Sequence, residues 1–244
     1  VSGQGFPQNF PKTAMVMAAG LGTRMRPLTD HRPKPLVEVA GRALVDHVLD
    51  RMVEAGVETA VVNIHHFADQ MVAHLARRDD IRIKISDERA ALLDSGGGIA
   101  HARRLLGDDP ILVANIDSLW TGGETPPLQT LGEAWDPEIM DVLLLLVPRG
   151  QGLGFEGPQG FFRDAAGRLT HSAAAEPPTP FANVGFQILK PQILDGVREK
   201  AFSIVPIWQR LAEQGRLHGA VMDAFWMHVG DPAAREAAEA KLST

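Results

Sequence analysis

The chain contains no cysteine, which excludes disulfides, zinc knuckles and thiol catalysis. It has no excess of positive charge either. Its 24 Lys and Arg stand against 30 Asp and Glu, a formal charge of −6 with a pI near 5.8. A basic groove tracking a nucleic acid polymer is therefore not expected, although a few cationic side chains could still grip one small anion. Long apolar runs are missing as well. The most hydrophobic stretch, residues 142–147, is far shorter than the roughly 20 residues that cross a bilayer, and no signal-peptide layout opens the chain. The expectation is a soluble cytoplasmic protein with no membrane partner. What is present is ordinary: 244 residues, 45% hydrophobic and 22% charged, enough for one large α/β domain or two small ones.

Residues 1–12 begin without Met, are rich in Gly, Pro, Gln and Asn, and show no periodicity. They are set aside as a disordered tail or an appended remnant. From Thr13 the pattern is regular. Short apolar runs at 13–18, 60–64 and 111–114, the alternating Ile81, Ile83 and Ile85, and the run 142–147 read as strands. Leu44, Val45, Val48, Leu49, Met52 and Val53, closed by Gly56, recur at helical spacing, and helices are also expected over 69–76 and 99–106. Strands alternating with helices imply βαβ units and a mostly parallel sheet. Residues 150–180 are crowded with Gly and Pro, with strand candidates around Phe161 and Leu169, and read as an antiparallel excursion or lid. Order returns with a strand over 184–189 and helices over 205–214 and 232–242. The expected organisation is a single domain over 13–244, with 148–183 as its excursion.

Ala18-Ala19-Gly20-Leu21-Gly22-Thr23-Arg24-Met25-Arg26-Pro27 falls between the first strand and the first helix, where open parallel sheets place their ligands. Gly20 and Gly22 allow a tight turn and close approach of N–H groups to phosphate oxygens. Thr23 adds a hydroxyl and Arg24 a fork of donors suited to a polyphosphate. Further on, Lys34 sits between Pro33 and Pro35, a second positive charge on stiffened backbone. A lone Gly-x-Gly is more often a plain turn beside a solvated basic patch. Two other phosphate loops fail on inspection. A dinucleotide fingerprint needs glycine at position 25, where the chain has Met25, and a P-loop needs Gly-Lys followed by Ser or Thr, which does not occur.

Gly20-Leu21-Gly22-Thr23-Arg24, Pro27-Leu28-Thr29 and Pro33-Lys34-Pro35-Leu36 together resemble the signature of the sugar-1-phosphate nucleotidylyltransferases. The resemblance runs from about Ala14 to the terminal helix. The short chain, the Gly96-Gly97-Gly98 run and the lack of a C-terminal β-helix are most similar to the N-acetylmuramate-1-phosphate uridylyltransferase branch. This resemblance implies an α/β fold, a Rossmann-like, mostly parallel sheet flanked by helices (GT-A-like), with a small antiparallel sugar-binding section. It assigns nucleotide contacts to Ala19, Gly20, Leu21, Gly22, Thr23, Arg24, Lys34, Asn63, Gly97 and Gly98, and sugar contacts to Asn115, Trp120 and Asn183.

Asp117 follows a buried strand, at the sheet's carboxyl edge. There it serves equally well as a ligand for Mg2+, which takes hard oxygens and often only one or two from protein, or as a turn cap. The resemblance favours the metal, since the family carries its metal aspartate in a Gly-Asp pair; here Ile116 replaces the glycine. The family also has a second metal aspartate where this chain has His228. Imidazole suits softer metals than Mg2+, so His228 acts through water, favours Mn2+, or is a hydrogen-bonding residue only. Three consecutive glycines at 96–98 suit a flat base or sugar lying on the backbone, or simply a flexible loop. The family's Glu-Lys-Pro segment appears as Ala175-Glu176-Pro177-Pro178, without the lysine. His65 and His66 read as loop residues with a ribose or sugar contact.

The implied reaction joins a nucleoside triphosphate, UTP by resemblance, to a sugar 1-phosphate, N-acetylmuramate 1-phosphate by resemblance, releasing pyrophosphate in peptidoglycan recycling. The attacking phosphate oxygen is already ionised near neutral pH. Catalysis then rests on positioning and charge stabilisation by Arg24, Lys34 and a cation on Asp117. A mannose-1-phosphate guanylyltransferase, or a nucleotide-sugar-binding protein with little or no catalysis, would share the same loop. A nicotinamide dehydrogenase is opposed by the failed fingerprint. Base, sugar and oligomeric state are not readable from one chain.

Overall fold

The computed structural model describes residues 6–155, 160–172 and 179–243. Its centre is a mixed sheet whose parallel part carries the order Arg82–Asp87, Thr59–Ile64, Thr13–Met17, Ile111–Asn115. Phe181–Leu189 runs antiparallel between Ile111–Asn115 and Val142–Pro148, and Leu217–Val221 continues parallel to Val142–Pro148. One strand is thus reversed in an otherwise co-directional core. The hairpin Gly160–Arg163 and Leu169–Ser172 joins through Phe161 beside Phe181.

Strands buried on both faces read as continuous apolar runs rather than alternating ones, and the two faces separate residue by residue. Ala14, Val16, Ala60, Val62, Leu143, Leu145 and Val147 enter one core, under the helices Leu44–Glu54 and Ala68–Leu75. Met15, Val61, Val142, Leu144 and Leu146 enter the other, against Ile99, Ile207, Trp208 and Leu211. Those last residues belong to the helices Asp94–His101 and Val205–Glu213. No helix among the described residues is long and apolar enough to cross a membrane.

Several expectations need correction. The N-terminal stretch is not wholly a tail. Val1–Gly5 lie outside the described residues, but Phe10 is 4% exposed, stacks edge-on with Phe6 and packs on Gly132. Two aromatics set among Pro, Gln and Asn give no periodic signal, yet Phe10 fills a core position. The helix expected over 99–106 starts earlier, at Asp94–His101, and breaks before Arg103–Leu106. A second sheet of Ser118–Thr121, Phe225–His228 and Gly152–Leu153 was not expected. Its strands are four, four and two residues long, too short to display a period.

Candidate active site

The first strand ends at Met17 and the chain turns through Gly22, whose φ of 64° is left-handed. A Cβ at Gly22 would come within 2.9 Å of the Lys34 Cβ, and Thr29 Oγ1 donates to the Gly22 carbonyl at 2.8 Å. The missing side chain therefore lets the loop and the Pro33-Lys34-Pro35 segment lie against each other. Met25, at the position where a dinucleotide fingerprint would need glycine, is completely buried and anchors the short turn Thr23–Met25. At the far end of that contact Lys34 Nζ donates to Asp117 Oδ2 at 2.7 Å, with side chains only 11% and 17% exposed.

Asp117 leaves the sheet two residues after Asn115, and its carbonyl accepts from Val229 N at 2.7 Å. That bond and the pairing of His228 with Ser118 bring His228 Nδ1 to 3.9 Å from Asp117 Oδ1. This is too long for a hydrogen bond, and Asp117 Oδ1 is buried without a partner. Burial works against ionisation of Asp117, but the charge of Lys34, with His228 and the hydrogen bonds, outweighs it and holds the carboxyl below its ordinary range. Burial likewise holds the His228 imidazole below its usual range; Asp117 opposes this, while Lys34 and Arg24 reinforce it. A neutral imidazole is the form that can bind a metal.

Lys34 and Asp117 line a cavity of about 480 Å³ with Ala19, Gly20, Gly22, Thr23, Arg24, Asn63 and Asn115, within the usual size for small-molecule sites; His228 lies behind Asp117 and does not line it. The orphaned Asp117 oxygen fits a divalent cation. Among the described residues no cluster of three or more His, Asp or Glu is placed to hold one by protein alone.

Other candidates are not brought to the cavity as expected. Leu21 is 43% exposed and does not line it. Gly97 and Gly98 are buried in a helix, so neither the flexible loop nor an open shelf for a base is found. Protein fills the missing side chains: a Cβ on Gly97 would strike the Lys200 carbonyl, and one on Gly98 would lie 3.0 Å from Asn63 Nδ2 and Glu88 Oε1. Trp120 does not line the cavity; it packs in the core, edge-on to Phe186 at 4.9 Å with Arg51 over its ring at 5.8 Å. Asn183 turns its amide oxygen onto Gly185 N at 2.9 Å, securing a bulge in its strand, and does not line the cavity. Gly185 itself packs on Asn115. His65 Nδ1 is taken by the Glu88 carbonyl at 2.7 Å. The Ala175–Pro178 segment lies outside the described residues. Glu88, Asp94, Ser95 and Gly230 line the cavity without having been singled out by sequence.

The family model for nucleotidyl transferases matches residues 13–134. N-acetylmuramate alpha-1-phosphate uridylyltransferase of Caulobacter vibrioides is 52% identical over 237 residues, covering 96% of this chain and 98% of that protein. The mannose-1-phosphate guanylyltransferase catalytic subunit beta of Dictyostelium discoideum is 30% identical over 238 residues, 90% of this chain but 61% of the relative. The inositol-1-phosphate CTP transferase from T. maritima superposes with a TM-score of 0.78 at 15% identity, covering 96% of this chain and 97% of that one. UDP-glucose pyrophosphorylase complexed with UDP-glucose gives 0.75 at 16% identity, covering 96% and 98%. At such identities the two structures speak for the fold alone, and both carry it across nearly the whole chain. With half of the sequence matched by the family model and most of its length shared with the Caulobacter enzyme, this chain belongs to the nucleotidyl transferase family.

Proposed function

We propose that the protein transfers UMP from UTP to a sugar 1-phosphate, N-acetylmuramate 1-phosphate in preference, giving a UDP-sugar and pyrophosphate. The setting proposed is the cytoplasm, in the recycling of peptidoglycan sugars. The observation that carries the chemistry is the convergence of Arg24, Lys34 and Asp117 on one cavity at the carboxyl edge of the sheet. The choice of base and sugar rests on the 52% likeness to the Caulobacter enzyme.

A sugar-phosphate oxygen attacks the α-phosphorus, a new P–O bond forms, and the bond to the β-phosphate oxygen breaks as pyrophosphate leaves. No base is needed for an already ionised nucleophile. The obstacle is repulsion between two anions, so fixed positive groups matter most. Arg24 and the loop amides from Gly20 onward bind the triphosphate, while Lys34, held by Asp117, faces the α-phosphate region. Asp117 and His228 would hold Mg2+ or Mn2+, which supplies further charge neutralisation when bound.

Pyrophosphate release tests this with UTP, dTTP and GTP crossed against N-acetylmuramate, N-acetylglucosamine and mannose 1-phosphates. Fastest turnover is expected with UTP and N-acetylmuramate 1-phosphate. Preference for GTP with mannose 1-phosphate would favour the guanylyltransferase reading, and saturable nucleotide binding without turnover would refute catalysis.

A further inference from the structure

Asn63 and Glu88 are both about 2% exposed, yet both reach the floor of the cavity. Asn63 is the penultimate residue of the buried strand Thr59–Ile64, beside Thr13–Met17, and its side chain meets the start of the glycine loop. Its Oδ1 accepts from Ala18 N at 2.6 Å and Ala19 N at 3.2 Å. Its Nδ2 donates to Glu88 Oε1 at 2.7 Å, and Glu88 Oε2 accepts from Leu93 N at 3.4 Å. No cation pairs with this carboxylate among the described residues, and the mechanism above makes no use of it.

The polarity of the chain of bonds is forced. Two N–H donors on one side demand the amide oxygen, and a carboxylate on the other, which only accepts when ionised, demands the amide nitrogen. A Cβ on Gly98 would lie 3.0 Å from both Asn63 Nδ2 and Glu88 Oε1, so the missing side chain there is what lets the pair pack against the helix. The loop's first two amides are thereby spent on Asn63, and the amides from Gly20 onward are the ones presented to a ligand. We infer that Glu88 is a positioning residue for the phosphate-binding loop: it fixes the Asn63 amide, and Asn63 fixes the start of the loop through Ala18 and Ala19.

This inference rests on the nucleotidyl-transfer reading for its kinetic arm, but its structural arm is read without substrate. In the ligand-free enzyme, Glu88→Ala leaves the Asn63 amide free to rotate, and hydrogen exchange of the segment containing Ala18 and Ala19 should quicken at least tenfold. In turnover, the same variant should raise KM for the triphosphate about tenfold and leave KM for the sugar phosphate within about twofold, a misplaced loop being costly even when the chemistry is untouched. Glu88→Gln, whose amide oxygen can still accept from Asn63, should recover most of that loss.

The decisive arm reverses the polarity. Asn63→Asp alone sets two carboxylates against each other and should behave like Glu88→Ala. Adding Glu88→Gln gives that aspartate a donor again, and the double variant should bind the triphosphate better than Asn63→Asp by at least threefold. If Glu88→Ala proves insoluble, the comparison of Asn63→Asp with the double variant still decides. Unchanged exchange and unchanged KM in Glu88→Ala, or a double variant no better than Asn63→Asp, would overturn the inference. A wild-type enzyme that releases no pyrophosphate would refute the functional reading instead, leaving the exchange result to judge the positioning role.

Discussion

Replacing Lys34 by methionine separates what this lysine does for the fold from what it does for the reaction. Methionine keeps most of the side-chain volume, and with it the packing against Gly22, where the Lys34 Cβ comes so near that a Cβ on the glycine would lie 2.9 Å from it. It removes the charge that faces Asp117 at 2.7 Å. Both side chains are largely buried, so the remaining carboxylate has no partner, and breaking a buried pair in this way costs about 3 kcal/mol. For a chain of this size that lowers Tm by about 6–12 °C. Adding Asp117→Asn removes the stranded charge and should restore most of the stability. Turnover should not return, because a fixed cation at the reacting phosphates is worth about 3 kcal/mol, or a hundredfold or more in kcat. Thermal unfolding and steady-state pyrophosphate release on the wild type, both single variants and the double variant make the measurement. The reasoning fails if Lys34→Met keeps wild-type turnover, or if the double variant is no more stable than Lys34→Met.

Gly22→Ala places a Cβ at a left-handed φ of 64° and 2.9 Å from the Lys34 side chain; it should cost about 2 kcal/mol and cut turnover at least tenfold, which melting curves and kinetics check. His228→Asp should shift the metal profile toward Mg2+ over Mn2+, since a carboxylate oxygen suits the harder ion; an identical profile would mark His228 as purely structural. Asp141 ties three strand ends together, accepting from Arg216 at 2.7 Å and Lys190 at 2.9 Å. The Arg216 hydrogen bond, helped by Lys190, outweighs partial burial and holds its pKa down at about 2, well below the ordinary carboxylate range. A depressed carboxyl pKa stabilises the fold above the unfolded value, and the contribution fades as pH falls from about 4 through about 2. Asp141→Asn should therefore lose about 1 kcal/mol at pH 7, after allowance for solvent screening, and the gap in urea midpoints should close across that acid window.

Much of this architecture is legible in the sequence because buried parallel strands leave a strong mark. The run 142–147 and the short runs at 60–64 and 111–114 fall in strands, and the loop after Thr13–Met17 lies where a parallel sheet puts its ligands. The metal role given to Asp117 came only through the family resemblance, but its position just beyond a strand end was readable. The direction of Trp120 was not, since a four-residue strand shows no period by which to choose a face. The glycines at 96–98 announced that something needed the space, but not that the Lys200–Phe202 backbone, Asn63 and Glu88 would take it. Glu88 was invisible for a related reason: between Asp87 and Arg89 it looks like another solvated charge, and only the fold turns it inward.

The most direct measurement is a crystal structure with a non-hydrolysable analogue of UTP and a divalent cation. The account predicts the triphosphate against the backbone from Gly20 to Gly22 and the Arg24 guanidinium, with the α-phosphate beside Lys34 and the cation on Asp117. Electron density placing the triphosphate elsewhere, with Lys34 and Asp117 still paired and turned away from it, would contradict the account.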